Sequence, residues 1–184
     1  MINRRKFSKT LFLVSLLPIM AHAPWGQWQV YRMRHMLLLS VQEDKDSYPF
    51  SKVIIEALTA TLPEASARPA RAKDYRRVHS LLSTDQMLLA VLSKNIAISL
   101  LYGTGEFDNY SPVNMNIVFN FGKMLLLARP NMPDSHTWRI TDAIIRSGKF
   151  SIGINDTEIP VHNGSNKRFM NLPMPEEIIH ENDS

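Results

Sequence analysis

The segment 36–62 constrains the fold most strongly, because it predicts a buried strand, a charged loop and an amphipathic helix in direct succession. The strand is the short apolar run 36–39, and Pro49 suits the first turn of the helix that follows. Six apolar residues at helical spacing form one face of that helix: Phe50, Val53, Ile54, Ala57, Leu58 and Leu62. An apolar strand followed at once by such a helix is typical of a parallel sheet covered by helices.

Later segments continue this alternation of short apolar runs with helical patterns. The predicted bounds are strands near 65–70 and at 87–92, 114–121 and 123–128, with helices up to 83, over 95–102 and up to 147. We expect Asp74, Ser93 and Asp134 to cap the three later helices, and Gly103 to end the second of them. The last two strand-like runs flank Gly122 and form a hairpin or one bulged strand.

These patterns predict an α/β fold with a mostly parallel sheet and flanking helices. Residues 24–150 supply its single domain, which suits a chain of 184 residues with 45% hydrophobic composition. Residues 151–184 contain few apolar runs, and we expect them to be extended on the surface with a disordered end.

Residues 1–23 predict export from the cytoplasm. Arg4 and Arg5 precede the apolar run 10–20, and the small residues Ala21 and Ala23 follow it, so the segment resembles a twin-arginine export signal. A general secretory signal is the alternative. The apolar run is shorter than the ~20 residues of a membrane span, so we expect no stable span after export.

Removal of this leader leaves a chain without excess charge. The leader holds four of the 21 basic residues and no acidic one, which leaves 17 basic against 17 acidic groups. Nucleic-acid binding therefore loses its main support. The chain has no cysteine, so disulfides and thiolate metal sites are excluded. It also lacks the G-x-S-x-G, Walker, G-x-G-x-x-G and H-E-x-x-H motifs, and we expect a protein that is not an enzyme and has no cofactor.

The loop 42–47 is the first place to look for function, since ligands of such folds sit where a strand ends and its helix begins. Its acids Glu43, Asp44 and Asp46 admit a calcium site, but they lack the EF-hand spacing, and a charged surface loop is the favoured interpretation. An anion clamp competes with ordinary solvated side chains for the arginines Arg32, Arg34, Arg68, Arg71, Arg76 and Arg77.

A cluster of methionine and histidine near the first strand admits a copper site. Met33, His35 and Met36 carry the thioether and imidazole groups that suit Cu(I). Because side chains alternate along a strand, Met33 and Met36 would point to opposite faces. Core packing is therefore the favoured interpretation, and we predict no metal site.

Four stretches together resemble the TAXI family of periplasmic solute-binding proteins, the soluble receptors associated with TRAP-type transporters. They are the first strand with Tyr48-Pro49 and its helix, LSTDQMLLAVLSKNIAISLLY at 82–102, KMLLLARPNMPDSHTWRITDAII at 123–145, and IPVHNG at 159–164. Members of the family have two lobes that close on the solute. The portion that would form the second lobe is absent here, so the resemblance implies about one lobe of a type II periplasmic binding protein.

The resemblance implies a periplasmic, non-enzymatic receptor that recognises a small anionic organic solute or a protein partner. The candidate contacts are Ser40, Asp46, Ser47, Tyr48, Ser93 and Asn95. The glycines of the family's first loop are replaced here by 42–46, which prevents the same close backbone approach to a ligand. The alternative is an accessory, assembly or metal-delivery factor for an exported redox system. An oligomer is possible, because half of a clamshell leaves an apolar face.

Overall fold

The computed structural model describes residues 31, 34–151 and 158–176. The chain divides into two units, 1–34 and 35–184. Only Tyr31 and Arg34 of the first unit are described, and both are exposed, so the predicted export signal and Met33 of the copper hypothesis lie outside the described residues. In the part of the chain that the structure describes, no helix has the length and apolar character needed to cross a membrane.

The second unit is an α/β fold, as the sequence predicts. Its strands are β1 (Leu37–Val41), β2 (Arg68–Ala72), β3 (Leu89–Ser93), β4 (Asn116–Asn120) and β5 (Met124–Ala128). Its α-helices are α1 (Ser47–Thr61), α2 (Tyr75–Ser83), α3 (Lys94–Tyr102), α4 (Asp134–Arg146) and α5 (Asn163–Phe169). Short 3₁₀ turns lie at Pro63–Ala65 and Gly105–Phe107.

The five strands form one open sheet in the order β2-β1-β3-β5-β4. Strand β1 pairs in parallel with β2 and β3, whereas β5 runs antiparallel to β3 and to β4. Four of the five strands therefore point the same way, which confirms the mostly parallel sheet and is compatible with one lobe of an α/β protein.

Helices cover both faces of the sheet, because alternate strand residues face opposite sides. Leu39 of β1 packs with Leu82 of α2 and Leu100 of α3 on one face. Leu38 packs with Ile54 of α1 and with residues of α4 on the other. Burial on both faces explains why β1 and β3 are mostly apolar in the sequence.

Helix ends follow the predictions only in part. Asp74 caps α2 as expected, with its Oδ1 accepting from the Arg77 amide at 2.8 Å, and Gly103 ends α3 with φ of 64°. Ser93 occupies the position before α3, but its side chain makes no capping hydrogen bond. The predicted side-chain cap was therefore wrong. The prediction for Asp134 was also wrong, because Pro133 precedes α4 and Asp134 is the first helical residue.

Strands β4 and β5 form a hairpin, which settles the alternatives left open around Gly122. Gly122 adopts φ of 89°, a conformation that favours glycine, and its amide donates to Asn120 Oδ1 at 2.8 Å. A register shift between Ile117 and Phe119 adds a bulge to the same hairpin.

The prediction that 151–184 is extended was wrong for α5. Backbone hydrogen bonds of 2.8 Å join Ile117 to Pro160 and His162, and α5 then packs on α4 with Gly164 and Ser165 buried. Residues 172–176 do lack regular secondary structure. They are largely exposed.

Candidate functional site

The carboxyl ends of β1, β2 and β3 form the edge of the sheet at which α/β proteins bind ligands. From β1 the chain passes through α1 to β2 on one side, and β3 lies on the other side of β1. In α/β proteins such a reversal of order is where a ligand crevice forms, and we call this position between the ends of β1 and β3 the β1–β3 crevice. The loop 42–46, which follows β1, and Ser93, which ends β3, border it.

The side chain of Asp44 joins the two sides of the β1–β3 crevice. Its Oδ2 accepts a hydrogen bond of 2.8 Å from the amide of Ser93, the residue that precedes α3. Its own carbonyl accepts from the Ser47 amide at 3.0 Å, which fixes the loop to the start of α1. A negative charge at the amino end of a helix is favourable, because the helix dipole and free amides point toward it. The position that would receive an anionic ligand therefore holds a carboxylate of the protein itself.

Glu43 accepts a hydrogen bond from the amino end of the neighbouring helix in the same way. Its Oε2 accepts a hydrogen bond of 2.9 Å from the amide of Tyr75, the first residue of α2. The adjacent acids Glu43 and Asp44 thus serve two different helices and do not converge on one point, which argues against the calcium interpretation of this loop. Within 34–151 and 158–176, no group of three or more histidine and acidic side chains is arranged to hold a metal ion.

Three acidic side chains lie close enough to Tyr75 to affect its ionisation. Partial burial raises the pKa of Tyr75 to about 12, and the negative charges of Asp44, Glu106 and Glu43 add to the effect. Its ring packs edge-on against buried Phe107, with a centroid separation of 5.6 Å. Anions entering the β1–β3 crevice would meet the same carboxylates.

Two predicted contact residues, Ser47 and Ser40, lie inside the fold. Ser47 Oγ donates to the carbonyl of Val91 in β3 at 2.5 Å and accepts from the amide of Val41 at 3.2 Å. Ser40 Oγ donates to the carbonyl of Ala70 in β2 at 3.0 Å. Both residues are fully buried, so their hydroxyls link neighbouring strands and are out of reach of a ligand. The expectation that they contact a ligand is corrected accordingly.

Tyr48 is the predicted residue that meets charged neighbours. Lys52 Nζ lies 4.5 Å from the centre of its ring and Arg71 Cζ lies 4.7 Å from it. Tyr48 is half-buried at the start of α1, whereas Lys52 and Arg71 are exposed. The other predicted residues, Asp46 and Asn95, are exposed, and the Asp46 side chain makes no helix-capping hydrogen bond.

Sequence reasoning identified the loop but missed the residues that act in it. The sequence predicts a charged surface loop for Glu43 and Asp44, whereas each bonds to a residue far along the chain. Lys52 was missed as well, and its spacing of four residues from Tyr48 on one helix was the available signal. The sequence does not distinguish Arg71 from the other five arginines of the anion-clamp hypothesis. Its approach to Tyr48 depends on the packing of α1 against β2.

His162 forms a second polar cluster, away from this edge of the sheet. Its Nδ1 lies 2.9 Å from Thr137 Oγ1 and 3.5 Å from Asp134 Oδ1, while its buried Nε2 has no hydrogen-bond partner among the described residues. Burial lowers the pKa of His162, and the charge of Asp134 opposes that shift. A nucleophile relay needs the hydroxyl and the carboxylate on different ring nitrogens. Both face Nδ1 here, so the cluster has the geometry of a structural core contact.

Comparison with known proteins adds no assignment to this geometry. A scan against protein-family models and a search of the curated proteins each find no match to this chain. The candidate site is therefore defined by the contacts of Asp44, Glu43 and Tyr48 alone.

Proposed function

We propose that this chain is a non-enzymatic binding protein of the periplasm, built as a reduced solute-receptor lobe, and that it recognises a protein partner rather than a small anionic solute. The observation that carries the proposal is the hydrogen bond of 2.8 Å from the Ser93 amide to Asp44. The resemblance of four stretches to the TAXI receptors supports the receptor ancestry, and the α/β sheet is compatible with one lobe of such a protein.

A tethered carboxylate is a strong competitor for the β1–β3 crevice. Asp44 is held by its own loop, so its effective concentration at the Ser93 amide is on the order of millimolar or higher. A free carboxylate would have to displace Asp44 and also enter the negative field that acts on Tyr75. Both effects disfavour a small anion as the physiological ligand.

Two exposed features suit a protein partner better. One is the group of charged and aromatic side chains around Tyr48. The other is the segment after α5, in which Met170, Leu172 and Met174 are 62%, 47% and 39% exposed. Exposed apolar side chains that lie close together are a frequent mark of protein interaction surfaces. An accessory factor for an exported redox enzyme would use the same surfaces, and the identity of the partner distinguishes it from a transporter receptor.

A thermal-shift screen of carboxylates and amino acids tests the choice between solute and protein. A ligand at a hundred times its Kd stabilises the folded state by about 2.7 kcal/mol, which raises Tm by roughly 5–10 °C for a chain of this size. We expect no such rise for the wild-type protein. We also expect in-cell crosslinking to recover one defined protein in stoichiometric amount. A carboxylate that raises Tm by several degrees would contradict the proposal.

A further inference from the structure

We infer that Tyr48, Lys52 and Arg71 form a docking site for acidic side chains of the partner protein. This inference rests on the proposed function and names the chemistry by which the partner is recognised. We call the three residues the Tyr48 cluster. Its members come from α1 and β2, at the same edge of the sheet as the β1–β3 crevice.

The geometry brings two positive charges to one aromatic ring. The Lys52 ammonium and the Arg71 guanidinium lie 4.5 Å and 4.7 Å from the centre of the Tyr48 ring. Such contacts hold a cation over the ring by attraction to its negative face. The ring thereby positions both cations without neutralising either of them. Because both lie near the same ring, two neighbouring carboxylates of one acidic segment can reach them.

Neither cation of the Tyr48 cluster is neutralised by an acidic side chain of the described residues. The ion pairs among the described residues do not include Lys52 or Arg71, and both side chains are exposed. The nearby acids Glu43 and Asp44 instead bond to the amino ends of α2 and α3. The Tyr48 cluster therefore keeps two positive charges free for a ligand. Arginine adds the ability to bind a carboxylate through two parallel hydrogen bonds.

The adjacent strand favours recognition through side chains rather than through strand pairing. Strand β2 is an edge of the sheet, and it carries Arg68, Pro69 and Arg71. Proline supplies no amide for a ladder, and charged side chains on an edge strand disfavour added strands. A partner at this edge would therefore contact the cluster with acidic side chains. It would not extend the sheet with its backbone.

A fluorescent hexaglutamate peptide serves as the probe, and anisotropy measures its Kd for the full chain at low ionic strength. We expect the K52A/R71A double variant to bind about tenfold more weakly, because it loses two charge contacts. The matched control is K123A/R77A, which removes two other exposed cations, and its Kd should stay within about twofold of wild type. Thermal melts check that each variant is folded.

The Y48L variant tests the ring itself, since it keeps every charge. We expect it to weaken hexaglutamate binding about threefold, because the cations lose the surface that positions them. Equal weakening by both double variants would overturn the inference, since the binding would then be non-specific attraction. Wild-type affinity of Y48L would overturn it as well. A partner that binds K52A/R71A normally would refute the Tyr48 cluster but leave the proposed function standing, whereas a carboxylate that raises Tm refutes the proposed function.

Discussion

Replacement of Gly164 by alanine should strongly destabilise the protein, because α5 approaches α4 through this residue. An added Cβ would lie 2.7 Å from the carbonyl carbon of Asp134, and still closer to its oxygen and to Thr137 Oγ1. Carbon atoms in contact normally lie ~3.5–4.0 Å apart. Helix α5 would therefore have to move away from α4 by about 1 Å.

The cost follows from the contacts that this movement breaks. Overpacking a close-packed site costs about 1–3 kcal/mol. The hydrogen bonds of 2.9 Å that join Thr137 to His162 and Thr141 to Ser165 are buried, and each contributes about 1 kcal/mol. The higher helix propensity of alanine offsets at most about 1 kcal/mol of this loss in stability. The expected net loss is about 2–4 kcal/mol, or a Tm lower by roughly 5–15 °C.

Urea unfolding and thermal melts of Gly164→Ala measure this loss, and Gly148→Ala is the control. Gly148 has φ of 63° with open space around its Cβ position, so alanine there suffers backbone strain of about 1 kcal/mol without a clash. If Gly164→Ala is no less stable than Gly148→Ala, α5 is not held by close approach to α4. That result would refute the reasoning.

Three further predictions concern charged and titratable groups. Asp44→Asn should lower the free energy of unfolding by about 1–2 kcal/mol in urea melts, whereas Asp46→Asn, whose side chain makes no capping hydrogen bond, should change it by less than about 0.5. Burial lowers the pKa of His162, although the charge of Asp134, which lies beside Lys167, opposes this shift. The His162 contribution to the free energy of unfolding should therefore be constant above about pH 6.5 and fall below it, which urea melts from pH 5 to 8 measure. If His162→Gln loses stability with falling pH as steeply as the wild type does, the expectation is contradicted. In absorbance titrations Tyr75 should ionise near pH 12, and Tyr75→Phe should remove that component.

The sequence predicts the sheet well because the sheet depends on burial. Strands β1 and β3 are covered on both faces, so each contains a run of consecutive apolar residues, 37–39 and 89–92, that is visible in the sequence. Helix α1 follows from its apolar face for the same reason. Asp74 was also predictable, since its cap spans only three residues to Arg77. Each of these features depends on residues that lie within a short stretch of the chain.

The remaining features depend on contacts between distant residues. Asp44 reaches Ser93 across 49 positions, so the loop 42–46 gave no local sign of its partner. Helix α5 has only seven residues and no apolar stripe of its own. It is stabilised by close packing of Gly164 on α4 and by the buried His162 that precedes it. Such a helix is defined by tertiary packing, which periodicity does not report.

The glycine-poor loop 42–46 links the structure to the proposed function. Glycines would let the backbone approach a bound anion, and the sequence predicts that this loop cannot make that approach. The structure shows that Glu43 and Asp44 supply the acceptors that an anion would otherwise provide to α2 and α3. These hydrogen bonds stabilise the amino ends of the two helices, and under the proposed function they also exclude an anionic solute. Lys52 and Arg71 form no ion pair among the described residues, so under the proposed function the acid-binding capacity of this edge lies at the Tyr48 cluster.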